Sequence, residues 1–180
     1  MSKQLDNCSF VIFGATGNLA RTKLMPALYH LEVADLLPET MKIVGLGRRI
    51  STLEAWRDEV REDIQARARQ GIDEAVFQRF VARLDYFSIS LRDESRFSQL
   101  AEFLNQAHFP ANIAFYFSLP PALYGGVATQ LGKTGMLSQN PGWRRLVVEK
   151  PFGHDLHSAQ KLQQQFDQYL DEQQIYRIDH

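Results

Sequence analysis

The stretch FVIFGATGNLARTKLMPALYHL, residues 10–31, decides how this chain folds. It opens with an unbroken apolar run, Phe10-Val11-Ile12-Phe13, of the length and β-branched content of a strand buried on both faces. Gly14, Gly17 and Ala20 follow at the spacing Gly-x-x-Gly-x-x-Ala, and helix-compatible residues take over. A strand, a glycine turn and a helix in that order make a phosphate cradle. The first small residue allows the sharp turn, the second lets the backbone approach a pyrophosphate, and the third lets the helix pack closely. The free N–H groups and the positive end of the helix dipole then face the anion. A purely structural βα turn is the alternative, and the position directly between strand and helix favours nucleotide binding.

Composition bounds the rest. The 180 residues, 44% apolar and 23% charged with a formal net charge of −1, fit one well-buried domain and are marginal for two. This balance gives no electrostatic case for nucleic-acid or membrane partners. No apolar run approaches the roughly 20 residues of a membrane span, and no signal-peptide core follows a basic start. The single cysteine, Cys8, has no intrachain partner, so the expected location is cytoplasmic.

Strand and helix patterns alternate along the chain. Leu19, Leu24, Leu28 and Leu31 recur at near-helical spacing, interrupted by Pro26, which predicts a short first turn and a longer helix starting near the proline. Pro38 is expected to close that helix, and residues 41–47 read as the second strand. Ser51 with Glu54 reads as a capping box for a helix reaching about Gln70, with Trp56, Val60 and Ile64 on one face. Asp73 caps a helix carrying Val76, Phe77, Phe80 and Val81. A short strand near residues 86–89 precedes a helix with Phe97, Leu100 and Leu104. Residues 112–118 form a fourth strand, stopped by Pro120-Pro121. A helix with Leu123, Val127 and Leu131 follows, and residues 146–149 form a fifth strand. A helix capped by Asp155 carries Ala159, Leu162, Phe166 and Leu170, and residues 175–180 close the chain as a strand. The expected fold is α/β: a Rossmann-like, doubly wound, mainly parallel six-stranded sheet with helices on both faces.

In such sheets ligands sit at the carboxyl ends of the strands. That rule selects residues 14–20, Arg48-Arg49, residues 118–121, Lys150-Pro151 and Asp179-His180. An acidic residue after the second strand accepts hydrogen bonds from a ribose 2′-hydroxyl, whereas arginine accommodates a 2′-phosphate. Here Arg48 and Arg49 stand there with no acid before Glu54. One or two charge-assisted bonds of roughly 1.5–3 kcal/mol each predict a preference for NADP over NAD of about tenfold to a few thousandfold. Two solvated loop arginines are the alternative. Lys150, held by Pro151 in either a cis or a trans bond, can reach a sugar hydroxyl or a phosphate, or else pair with Glu149. Asp179 can orient a histidine and His180 can bind phosphate or act as a base, or the two are a frayed end.

These residues resemble one family. Gly14-Ala15-Thr16-Gly17-Asn18-Leu19-Ala20 with Lys23-Leu24 and Pro26-Ala27-Leu28, then Gly47-Arg48, then Glu149-Lys150-Pro151-Phe152-Gly153, and Arg177-Ile178-Asp179-His180, resemble the N-terminal coenzyme domain of the glucose-6-phosphate dehydrogenases. The resemblance covers essentially the whole chain. It implies oxidation of glucose 6-phosphate at C1 to the 6-phosphogluconolactone, with hydride passed to NADP⁺, at the entry to the pentose phosphate pathway.

By the same resemblance, Gly14, Ala15, Thr16, Gly17, Asn18 and Leu19 hold the coenzyme pyrophosphate, Arg48 its 2′-phosphate, and Lys150 the substrate beside the nicotinamide. Asp179 orients the catalytic base, His180 binds the 6-phosphate, and Lys23 lines the site; no metal is implied. Asn18 replaces the family's usual aspartate, a mild change beside an anion. The resemblance places the base and the dimer or tetramer interface in a larger α+β domain beyond residue 180. His30, His108, His154 and His157 are outside the motif of that base. The 180 residues are therefore expected to bind NADP and to turn over little or no substrate. An atypical short-chain reductase or NADP-binding regulator is one alternative, although no Tyr-x-x-x-Lys pair occurs. A noncatalytic interaction module is the other.

Overall fold

In the computed structural model, which describes residues 5–49, 51–68 and 70–179, the strands fall where continuous apolar runs place them. β1 (Ser9–Phe13), β2 (Lys42–Gly47), β3 (Leu84–Ser88), β4 (Ile113–Phe117), β5 (Arg144–Glu149) and β6 (Ile175–Ile178) form a six-stranded sheet in the order β3-β2-β1-β4-β5-β6. Every pairing is parallel. At the centre, Val11 stands opposite Val44 and Phe115, and Phe13 opposite Leu46 and Phe117.

The pleat sends alternate side chains to two cores. Val11, Phe13, Val44, Leu46, Phe115 and Phe117 pack against α4 (Glu94–Leu104), α5 (Tyr124–Lys133) and α6 (Leu156–Asp167). Ile12, Ile43 and Leu84 pack against α1 (Met25–Val33), α2 (Leu53–Arg67) and α3 (Glu74–Val81). A strand lined on both faces has no room for polar alternation, which is why β1 reads as a solid apolar run. The doubly wound fold expected from the sequence is the one observed.

Local chemistry sets the helix ends, and in places it differs from expectation. Pro26 lies in the first turn of α1. Its missing N–H interrupts the ladder, and the chain widens into a π-turn over Ala20–Leu24, with the Met25 amide bonding back to the Ala20 carbonyl. α1 ends at Val33, not at Pro38. Asp35 adopts φ +57°, the Leu36 amide donates to the Leu31 carbonyl (2.9 Å) and the Asp35 amide to that of Glu32 (3.0 Å), a Schellman closure that stops the helix before the proline is reached. Thr52, not Ser51, caps α2. Its hydroxyl accepts the Ala55 amide at 3.0 Å, while the Ser51 hydroxyl bonds the Thr52 carbonyl. Glu54 thus falls in the first turn, where it complements the helix dipole rather than closing a capping box.

α2 ends at Arg67, short of Gln70, β3 starts two residues earlier than expected, and Leu170 packs beyond the end of α6. Asp73 and Asp155 cap α3 and α6 as expected.

At the amino edge of the sheet, the buried Glu32 of α1 receives Arg83 at 2.6 Å and Arg79 at 3.3 Å. Arg83 also donates to the Pro38 and Met41 carbonyls, tying the loop before β2 to α1 and α3. Beside β2, Trp56 is 2% exposed and covers Gly45, with its ring 5.7 Å from that of Tyr86. Removing so large a fully buried side chain leaves a void. Trp56→Ala is expected to cost about 3–5 kcal/mol, read from urea denaturation; a loss below about 1 kcal/mol would contradict this packing.

Candidate functional site

A parallel sheet delivers all its carboxyl ends to one edge, and the reversal of strand order between β1 and β4 opens a crevice there. Gly14 leaves β1 at φ +83°, and a Cβ at this position would lie 2.0 Å from the Ser118 carbonyl oxygen that follows β4. Only glycine fits both the dihedral and the space. The amides of Gly14 and Ala15 donate to the Leu46 carbonyl of β2 at 3.1 and 3.0 Å, and the Gly17 amide closes the turn onto the Gly14 carbonyl at 3.0 Å.

The chain becomes helical at Asn18. No side chain caps this start, and the Arg21 amide is the first to bond back, to the Gly17 carbonyl at 3.1 Å. Among the described residues, the amides of residues 18–20 have no acceptor, while Gly17 and Asn18 are exposed. Thr16 and Leu19 flank them, half-buried. These are the groups an anion would satisfy.

The end of β2 abuts this turn. Gly47 lies so close to Thr16 and Tyr86 that an added Cβ would fall 3.0 Å from the Thr16 hydroxyl and 2.6 Å from that of Tyr86. The Tyr86 hydroxyl donates to the Arg49 carbonyl at 2.8 Å, fixing the loop. Arg48 is exposed and, among the described residues, has no hydrogen-bond or ion-pair partner.

Arg49 behaves differently from its neighbour, although the sequence reads them as a pair. Its two terminal nitrogens donate to both oxygens of Glu59 at 2.7 and 2.6 Å. That pairing holds the Glu59 carboxyl below the usual range. One turn further along α2, Asp63 takes Arg21 in the same two-pronged way at 3.0 Å. Lys23 is exposed on the π-turn.

On the other side of the crevice, Glu149 is buried at the end of β5. Its carboxylate accepts the Tyr116 hydroxyl of β4, and its carbonyl accepts that of Tyr124 at 3.1 Å. Burial, and then the hydrogen bond to Glu149, push the Tyr116 phenol well above its ordinary value. The next residue, Lys150, reaches Asp179 after β6, with Nζ to Oδ1 at 2.9 Å and both side chains largely exposed. The Lys150–Pro151 bond is cis, and the Lys150 amide donates to the Ile178 carbonyl at 3.1 Å. The structure thus joins two residues that the sequence assigns to separate tasks. His180 lies outside the described residues.

Sequence reasoning did not single out Arg21, Glu59, Asp63, Tyr86 or Tyr116. Only the i, i+4 spacing of Glu59 and Asp63 on a helix hints at a shared face. Tyr116, in the body of an apolar strand, reads as core.

Residues 11–180 match the family model described as glucose-6-phosphate dehydrogenase, NAD binding domain. The chain belongs to the glucose-6-phosphate dehydrogenase family. It is 36% identical over 179 residues to the glucose-6-phosphate 1-dehydrogenase of Aggregatibacter actinomycetemcomitans, covering 97% of this chain and 36% of that protein. It is 37% identical to the Bacillus subtilis enzyme, covering 99% of this chain and 36% of the other. The crystal structure of glucose-6-phosphate 1-dehydrogenase from Mycobacterium avium superposes with a TM-score of 0.84 at 37% identity, over 96% of this chain and 36% of that one. A glucose-6-phosphate dehydrogenase in complex with its substrate glucose-6-phosphate superposes with a TM-score of 0.82 at 31% identity, over all of this chain and 38% of the other. The chain therefore spans a little over a third of the length of these dehydrogenases.

Two outcomes follow from the site. Gly14→Ala drives a Cβ into the Ser118 carbonyl at a left-handed dihedral, and is expected to cost at least about 2 kcal/mol of stability; an unchanged denaturation midpoint would contradict the contact. Tyr116→Phe leaves Glu149 one donor short and is expected to cost about 1–3 kcal/mol at neutral pH. A phenol whose folded pKa is raised adds stability below its unfolded value of 10, and that stability is lost as pH climbs beyond it. Tyr116→Phe should therefore lose less further stability above pH 10 than the native chain does, measured by urea denaturation; parallel losses would show that Tyr116 is not the group concerned.

Proposed function

We propose that this chain is the coenzyme-binding domain of an NADP-dependent glucose-6-phosphate dehydrogenase. The observation that carries the coenzyme choice is the contact between the end of β2 and the glycine turn through Gly47 and Thr16. A dinucleotide whose pyrophosphate sits on the turn brings its adenosine ribose to Arg48, a cation with no competing partner among the described residues. The residues fit the group. Gly14 lets the turn close directly against the Ser118 carbonyl, where a Cβ would collide, and the helix beyond it presents uncapped amides.

NADP⁺, when bound, supplies the acceptor for the hydride leaving C1 of the sugar. The amides of residues 18–20 hold the pyrophosphate and Arg48 the 2′-phosphate. Lys150 orients the sugar phosphate substrate at the carboxyl end of β5. Asp179, its ion-pair partner, steadies the lysine and orients the base, and His180 takes the 6-phosphate. The base itself, and the contacts that make a dimer or tetramer, belong to the remainder of the family fold. General acid–base catalysis contributes about 10²–10⁴-fold, so the 180 residues alone turn over little or no glucose 6-phosphate. We place the protein in the cytoplasm, where a lone buried thiol such as Cys8 stays reduced.

Calorimetric titration of the 180-residue chain with NADP⁺ and NAD⁺ tests this reading. Saturable binding is expected with NADP⁺ the tighter ligand, and Arg48→Ala should weaken NADP⁺ by about tenfold or more with little effect on NAD⁺. Equal affinities for the two coenzymes, or an Arg48→Ala variant that binds NADP⁺ as the native chain does, would overturn it.

A further inference from the structure

The acid closest in sequence to Arg48 and Arg49 is Glu54, but the acid that reaches Arg49 in space is Glu59. It lies on α2, four residues before Asp63, so the two carboxylates share one face of the helix. Each holds one arginine beside the phosphate turn by two hydrogen bonds: Glu59 holds Arg49, and Asp63 holds Arg21. Asp63 is 8% exposed, so its pair is part of the packing. The Glu59 pair is more open, with Arg49 half-exposed at 54% and Glu59 at 28%. The Arg49 carbonyl is pinned separately by Tyr86, so the guanidinium can change partner without the loop moving.

A guanidinium engaged by a carboxylate in a parallel fork has its best-aligned donors occupied. A 2′-phosphate arriving beside Arg48 meets an arginine already neutralised and a carboxylate that repels it. Arg48 and Arg49 are therefore unequal, and what makes them so is an acid ten residues further along the chain.

We propose that Glu59 sets the coenzyme preference: by holding Arg49 it withholds that guanidinium from the 2′-phosphate and limits the advantage of NADP over NAD to what Arg48 alone provides. This inference rests on the coenzyme reading above. NAD, which carries no 2′-phosphate, is indifferent to which partner Arg49 takes. A change in the ratio of the two affinities therefore separates a specificity role from a merely structural one, which would move both together.

The test is calorimetric titration of the 180-residue chain with NADP⁺ and NAD⁺, using the native protein, Glu59→Gln, Arg49→Ala/Glu59→Gln and Arg48→Ala. Glu59→Gln is expected to tighten NADP⁺ by about three- to tenfold, as one half-exposed charge-assisted contact is gained, with NAD⁺ changed by less than about twofold. The double variant should lose that gain and return to within about twofold of the native NADP⁺ affinity. The proposal is overturned if Glu59→Gln weakens NADP⁺ or shifts both coenzymes equally. It is also overturned if the double variant binds NADP⁺ much more weakly than the native chain, since Arg49 would then be a phosphate ligand positioned by Glu59. If the native chain does not prefer NADP⁺, or Arg48→Ala leaves its binding intact, the coenzyme reading fails and this inference with it. If those controls behave and only the Glu59 arms fail, the inference fails alone.

Discussion

The contact between the β1 turn and the exit of β4 is the constraint on which the rest of the molecule depends. The Ser118 carbonyl occupies the space where a side chain on Gly14 would begin, and the Ser118 amide donates to the Phe13 carbonyl at 2.9 Å. The two central strands are thus bonded up to their last residues. Immediately beyond, their connections part, one toward the α1–α3 face and the other toward the α4–α6 face. The crevice exists because the chains separate there while their strands do not. Without that close approach, the first helix would leave the sheet at another angle and its uncapped amides would no longer face the crevice.

The second strand carries the same logic sideways. Its small residues Gly45 and Gly47 admit two large neighbours, Trp56 and Tyr86. Trp56 is fully buried and lies against the Tyr86 ring, whose hydroxyl emerges at the edge and takes the Arg49 carbonyl. Burying an indole contributes several kcal/mol, whereas a single hydrogen bond to an exposed loop contributes about one. Packing therefore puts the loop where it is, and the hydrogen bond selects one register of it. A polar feature of the site is in this way set by an apolar feature of the core.

That ordering of magnitudes also explains what could be read in the sequence. Continuous apolar strands, glycine spacing and aspartate caps are each dictated by neighbours within a few residues. The sheet, its parallel sense and the turn at residues 14–20 were accordingly legible. The cap at Thr52 was displaced by one residue because Ser51 and Thr52 are both good caps, and which of them meets a free amide depends on where the helix starts. Asp35 was missed as the helix stop because a left-handed aspartate is local geometry that Pro38 outshouts in a pattern. The Arg49–Glu59 and Arg21–Asp63 pairs were illegible for another reason. Ten and 42 residues separate the partners, and a charged helix face looks the same in sequence whether it meets water or a cation. The Lys150–Asp179 contact was hidden likewise: both residues follow from the strand-end rule, but only the adjacency of β5 and β6 brings them together.

Charge at this edge is graded rather than merely positive. Arg48 is without a partner among the described residues. Lys150 has one, but an ion pair between two largely exposed side chains contributes about 0–1 kcal/mol, so an arriving anion displaces Asp179 at little cost. Arg49 is held more firmly, by two short bonds to a carboxylate that is itself mostly covered. Arg21 is held most firmly, since freeing it would leave the buried Asp63 without its counterion, which is the costly way to break such a pair. A chain with a formal net charge of −1 in this way keeps Arg48 and Lys150 accessible at the carboxyl edge of its sheet. The acids of α2 hold Arg49 and Arg21 in two-pronged hydrogen bonds. Under the reading proposed above, selectivity depends as much on the cations held back as on those presented.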